Sequence, residues 1–171
     1  MVLELLEASE VTAVSVAEVK EHLGIDNNSE DSLLHSYIKA ASSAVENMTG
    51  RVLLTQRWRQ LFVGPKLPLI LLKRPVVEVV EVKYLEDGQE VIWEPEEYGL
   101  LGFKIEGESL PSRYIYVDYK AGFGVGPDDV PEDIKQVIKL LVAYWYNNRS
   151  EVTKVPEGFK ELLSSYRTIS F

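Results

Sequence analysis

Three stretches of the chain carry residue types that could do chemistry. They are the glycine cluster Gly122-Phe-Gly-Val-Gly126, the acidic run Asp128, Asp129, Glu132 and Asp133, and the triplet Arg57-Trp58-Arg59. A glycine cluster after a strand invites a nucleotide-binding reading. The dinucleotide fingerprint, however, needs G-x-G-x-x-G directly on a helix amino terminus, with an acidic residue about 20 positions on. The spacing here is G-x-G-x-G, and Pro127-Asp-Asp129 stands where a phosphate would bind. Two carboxylates there repel an anion, and no Lys-Ser/Thr pair follows to make a P-loop. The cluster therefore reads as a turn that needs positive φ where the chain leaves a strand.

The acidic run is an equally poor cation site. Calcium takes six to eight oxygens, usually from alternating loop positions, whereas carboxylates at a helix start are favoured by the helix dipole alone. His22 and His35 fall on predicted helices with no H-x₃-H spacing, and both read as solvated. No G-x-S-x-G elbow marks a serine nucleophile. The sequence thus offers no catalytic residue, no metal ligand set and no cofactor site.

What remains is contact chemistry. Arg57, Trp58 and Arg59 form a basic–aromatic patch. Three readings stand: a strand with Trp58 facing the core and both arginines facing water, a hot spot for a protein partner, or a nucleic-acid contact. Trp145-Tyr-Asn-Asn-Arg149 carries aromatics on more than one side of its helix, with Tyr144 adding a third direction. Such a helix is covered by something beyond its own core, either another subunit or an aromatic-rich core end. The interface candidates are accordingly Arg57, Trp58, Arg59, Asp128, Asp129, Tyr146 and Arg149.

The elements that position these residues can be read from periodicity. Ser15-Val-Ala-Glu18 is a capping box that opens a helix ending at Gly24. A second helix starts near Asn28 or Ser29 and presents Leu33, Leu34, Tyr37, Ile38, Ala41, Ala44, Val45 and Met48 on one face, ending at Gly50. The period then changes from 3.6 to 2. Strands are predicted at Thr55–Val63, Leu69–Leu72, Val76–Leu85, Gln89–Trp93, Phe103–Ile105 and Tyr114–Lys120, with Asp87-Gly88 as a hairpin turn. Pro65, Pro68, Pro75, Pro95 and Pro111 punctuate this region. Pro131 opens a long helix to Asn148 with the stripe Ile134, Val137, Ile138, Leu141, Val142 and Trp145, and Glu157–Tyr166 forms a short terminal helix.

Helices, then strands, then helices is the order of an α+β fold. The expected organisation is one domain over residues 1–171. Its α-helical core comes from segments at about 15–50 and 130–166, with an antiparallel β region inserted at about 55–120. The chain has no cysteine, which excludes disulfides and thiolate metal sites. MVLELLEASE lacks the basic segment of a signal peptide, and no run approaches the roughly 20 apolar residues of a membrane span. The net charge of −9 gives no cationic surplus for tight DNA binding.

In that order, these motifs resemble the head–tail connector (adaptor) proteins of tailed bacteriophages. Ser15-Val-Ala-Glu-Val-Lys20 with Leu23 and Asp26 looks like the family's opening helix and its exit. The alanine-rich helix Tyr37–Met48, followed by Thr49-Gly-Arg51, Leu54-Thr-Gln56 and Trp58, is similar to the second segment. Leu72 through Pro75-Val76 resembles a proline-rich strand entry, with Lys73 and Val76 replacing two prolines. Tyr119-Lys-Ala-Gly-Phe-Gly124, Val130-Pro131 and Tyr146-Asn-Asn-Arg149 look like the closing block.

The resemblance implies a non-enzymatic virion protein, assembled in a bacterial cytoplasm from a phage or prophage. It would form a ring of identical copies that docks on the portal, meets a tail-side connector or stopper, and extends the DNA channel. Double-stranded DNA would pass without sequence-specific binding, which an acidic protein suits. Arg57 and Arg59 against the acidic run is a candidate contact between neighbouring copies. Two other classes compete: an interaction module of a non-phage complex, and a hydrolase built on two convergent carboxylates of separated pKa.

Overall fold

The computed structural model describes residues 2–94, 98–107, 111–151 and 154–166; Pro95, among the predicted punctuating prolines, lies outside them. The chain divides into two compact units, Met1–Ser9 with Thr55–Phe123, and Glu10–Leu54 with Gly124–Phe171. The first is built of strands and the second of helices, so the fold is α+β with an antiparallel β region between amino- and carboxy-terminal helices.

In the β unit, β1 (Val2–Glu7), β2 (Gln56–Val63), β8 (Tyr114–Ala121), β4 (Val76–Glu86) and β5 (Gln89–Ile92) form one antiparallel sheet in the order β1-β2-β8-β4-β5. A smaller sheet, β3-β7-β6, uses Leu69–Ile70, Lys104–Gly107 and Tyr98–Leu101. The Asp87-Gly88 turn has φ of 50° and 83°, the paired positive angles of a two-residue hairpin that follows the strands' twist.

Period-2 alternation sorts the large sheet into two faces. On the inner face Trp58 pairs with Tyr119, Gln60 with Val117, and Phe62 with Ile115. Val82 of β4 joins them opposite Val117. The polar member of this row, Gln60, is 0% exposed and fully engaged. Its amide donates to the Ile70 carbonyl at 2.9 Å, and its side-chain oxygen accepts from the Leu72 N–H at 3.0 Å and from the Tyr119 hydroxyl at 3.3 Å. The Tyr119 hydroxyl in turn accepts from the Lys73 N–H at 3.0 Å. Two side chains therefore strap the 70–73 segment to the sheet and satisfy backbone groups that no ladder reaches.

Burial pushes the Tyr119 phenol from its ordinary value of 10.0 up to about 12. Between those values the unfolded chain releases its proton first, so the folded β unit must lose stability as pH rises. The expected loss is about 2–3 kcal/mol across the interval. Urea unfolding at successive alkaline pH values, with Tyr119→Phe beside it, checks this. The variant is expected to lack that increment of loss.

The helical unit contains α1 (Val16–Leu23), α2 (Asp31–Thr49), α3 (Glu132–Asn147) and α4 (Glu157–Leu162). The Ser15 capping box forms as predicted, the hydroxyl accepting from the Glu18 N–H at 3.2 Å and the Glu18 carboxylate accepting from the Ser15 N–H at 2.7 Å. All six residues of the α3 stripe are buried, as are Leu34, Tyr37, Ile38, Ala41 and Val45 of α2. Each large aliphatic side chain so buried contributes roughly 1.5–3 kcal/mol. Tyr37 and Trp145 meet edge to face, with ring centres 6.4 Å apart.

Two elements differ from the sequence expectation. β1 was not anticipated: VLELLE has apolar residues at 2, 3, 5 and 6, which is neither a strand nor a helix period. It forms because Leu3 and Leu5 register against Gln60 and Trp58 at the sheet edge, with a bulge after Leu5 absorbing the irregularity. β6 was likewise missed.

Candidate assembly surfaces

Arg57 and Arg59 project from the outer face of β2, opposite Lys120 and Asp118 of β8. Arg59 grips Asp118 with two hydrogen bonds, Nε to Oδ1 at 2.7 Å and Nη2 to Oδ2 at 2.9 Å. Arg57 adds a longer contact to the same carboxylate at 3.5 Å and reaches Glu7 of β1 at 3.2 Å. Asp118 is only 3% exposed beneath them. The Asp118 hydrogen bond holds the Arg59 guanidinium above its ordinary pKa. A second ladder crosses the same face through Lys120–Glu78 at 2.6 Å and Lys83–Glu81 at 2.9 Å. Both arginines are thus already neutralised within their own sheet. Trp58 lies on the inner face, with the Lys73 ammonium 4.4 Å above its ring.

Tyr146 and Arg149 converge on Glu30, which stands at the N-cap position of α2 without a side-chain capping bond. The Tyr146 hydroxyl donates to one carboxylate oxygen, and Arg149 Nη2 donates to the other at 2.6 Å. The guanidinium also sits 5.0 Å from the Tyr146 ring centre. These bonds, Tyr146 first, lower the Glu30 pKa, and Glu30 raises that of Tyr146. The group is a clamp that ties the beginning of α2 to the end of α3.

The three glycines of the G-x-G-x-G run do three different jobs. Gly122 takes φ of 149°, the turn predicted where the chain leaves the strand, and its N–H donates to the Pro75 carbonyl. Gly124 is needed for space instead, since an added Cβ would lie 2.3 Å from the Asp129 side chain. Gly126 donates its N–H to the Asp129 carboxylate at 2.9 Å. Asp129 therefore folds back on its own loop, while Asp128 is exposed and makes no ion pair among the described residues. At the start of α3, Lys135 is buried and pairs with Glu132. His22 and His35 are exposed on helix faces, as read from the sequence. Among the described residues no group of three metal-binding side chains converges, and no helix is long and apolar enough to cross a membrane.

Ion pairs thus knit the outer sheet face of the β unit, and a clamp joins two helix ends within the helical unit. Over 100% of its length the chain superposes on 97% of a chain in the neck of an empty gene transfer agent particle computed with C6 symmetry (TM-score 0.85, 26% identity). It matches a chain of the virion of a native gene transfer agent particle over the same shares, with a TM-score of 0.86 and 27% identity. A third match, with a TM-score of 0.80, 26% identity and the same coverage, is in the neck of a native particle computed with C12 symmetry. The fold is that of a virion neck component. Residues 12–167 match the model of the head completion proteins, and the chain belongs to that family. The resemblance seen in the sequence is thereby borne out. No curated protein matches the chain.

Proposed function

We propose that this chain is a structural subunit of a virion head–tail junction, where copies close into a ring that joins the portal to a tail-side connector or stopper and continues the DNA channel. The observation that carries this reading is the end-to-end match to neck chains of particles treated with C6 and C12 symmetry. Rings of identical subunits use heterologous contacts, one face of a copy meeting a different face of the next. The net charge of −9 suits a wall past which double-stranded DNA slides without sequence-specific contact. The protein acts by shape, and no reaction is assigned to it.

The interface candidates divide under this reading. Arg57, Trp58, Arg59, Asp129, Tyr146 and Arg149 serve mainly by keeping their own units rigid, and Asp128 is left to face a neighbour. Electron microscopy of purified cognate portal complexes mixed with this chain tests the proposal. Ring density on the tail-facing end is the expected result, and bare portals at saturating protein would contradict it.

A further inference from the structure

Val125 is the most exposed large apolar residue among those described, at 79%. It stands at the tip of a braced loop. Gly124 bridges to Leu54, and the Asp129 carboxylate pins Gly126. Exposing a branched aliphatic side chain on a stiff support gives the isolated subunit no benefit. Next to this knob stands Asp128, exposed and in no ion pair among the described residues, its charge acting at longer range on Lys135.

The β unit holds a matching feature. A hollow of about 220 Å³ is lined by Phe62, Val63, Pro65, Pro68 and Leu69, and by Lys66 among them. Arg113 lies beside it, its Nε 3.9 Å from the Cβ position of Gly64, between Val63 and Pro65. Lys66 and Arg113 are exposed, and neither makes an ion pair among the described residues. An apolar knob flanked by an acid and an apolar hollow flanked by bases are complementary in apolar character and in charge. Because they are different surfaces of one chain, joining them between copies is a heterologous contact, the kind that closes a ring.

We propose that Val125 of one copy seats in the Phe62–Pro68–Leu69 hollow of the next, with Asp128 facing Lys66 and Arg113. The proposal rests on the ring reading above and adds the surface that makes it. The absence of cysteine from the native chain allows a clean test. Particles are produced with the chain carrying Asp128→Cys and Lys66→Cys together, purified, oxidised and run on a non-reducing gel beside the unsubstituted chain. A ladder of linked copies is expected, with none from either single variant.

Incorporation of the double variant without a ladder would overturn this contact and leave the ring reading standing. Failure of the unsubstituted chain to enter particles would overturn the ring reading itself. Asp128→Lys alone is expected to lower incorporation by about tenfold, and Lys66→Glu in the same chain to restore it. Undiminished incorporation of Asp128→Lys, or no recovery in the double variant while the unsubstituted chain incorporates, would also overturn the contact.

Discussion

Arg59→Ala is expected to destabilise the β unit by about 3–5 kcal/mol, the cost of stranding a buried charge when its partner is removed. Asp118 is 3% exposed, and Arg59 supplies its two short hydrogen bonds. Arg57 remains at 3.5 Å but is shared with Glu7, so it can offset only part of the loss. The companion variant decides the cause. If the penalty is an uncompensated carboxylate, Arg59→Ala with Asp118→Ala should cost less than Arg59→Ala alone. Urea unfolding of the two variants beside the unsubstituted chain measures this. A double variant less stable than the single would show that the arginine contributes mainly by covering the sheet.

Trp145→Ala is expected to cost the helical unit a similar 3–5 kcal/mol, because a large core aromatic leaves a cavity that its surroundings only partly fill. Trp145 is 2% exposed, stacks edge to face on Tyr37, and donates its indole N–H to the Lys154 carbonyl at 2.8 Å. The last bond ties the chain beyond α3 back to the helix. Trp145→Phe keeps most of the packing and removes the donor, so it should lose about 1–3 kcal/mol through the lost hydrogen bond and the smaller ring. Thermal unfolding followed by far-ultraviolet circular dichroism separates the two. Equal losses from Ala and Phe would place the whole effect in the hydrogen bond.

The helical unit was legible in the sequence because its signals are local. The Ser15 capping box, the stripes of α2 and α3, and the stops at Gly24 and Gly50 each lie within a few residues of what they control. The hairpin at Asp87-Gly88 was legible for the same reason. Most of what the sequence withheld depends on partners far along the chain. The triplet Arg57-Trp58-Arg59 was identified, but nothing near it names Asp118 as the group that neutralises the arginines. Gln60 reads as an ordinary polar strand residue until the 70–73 segment crosses it. β1 has no clean period of its own and becomes a strand only against β2. Tyr146 and Arg149 suggested an outward surface, and Glu30, more than a hundred residues earlier, turns them into a clamp. Val125 drew no notice because a valine between two glycines carries no signal until its exposure is known.

On the proposed reading this chain forms part of a conduit wall at the vertex where head meets tail. Cryo-electron microscopy of the particles that contain it, reconstructed at the neck, tests that most directly. A closed ring of this α+β fold between portal and tail is expected, with the strands and helices of every copy fitting the density. A neck that lacks the fold, while the protein is found elsewhere in the particle or is absent from it, would show that the chain is no part of the conduit.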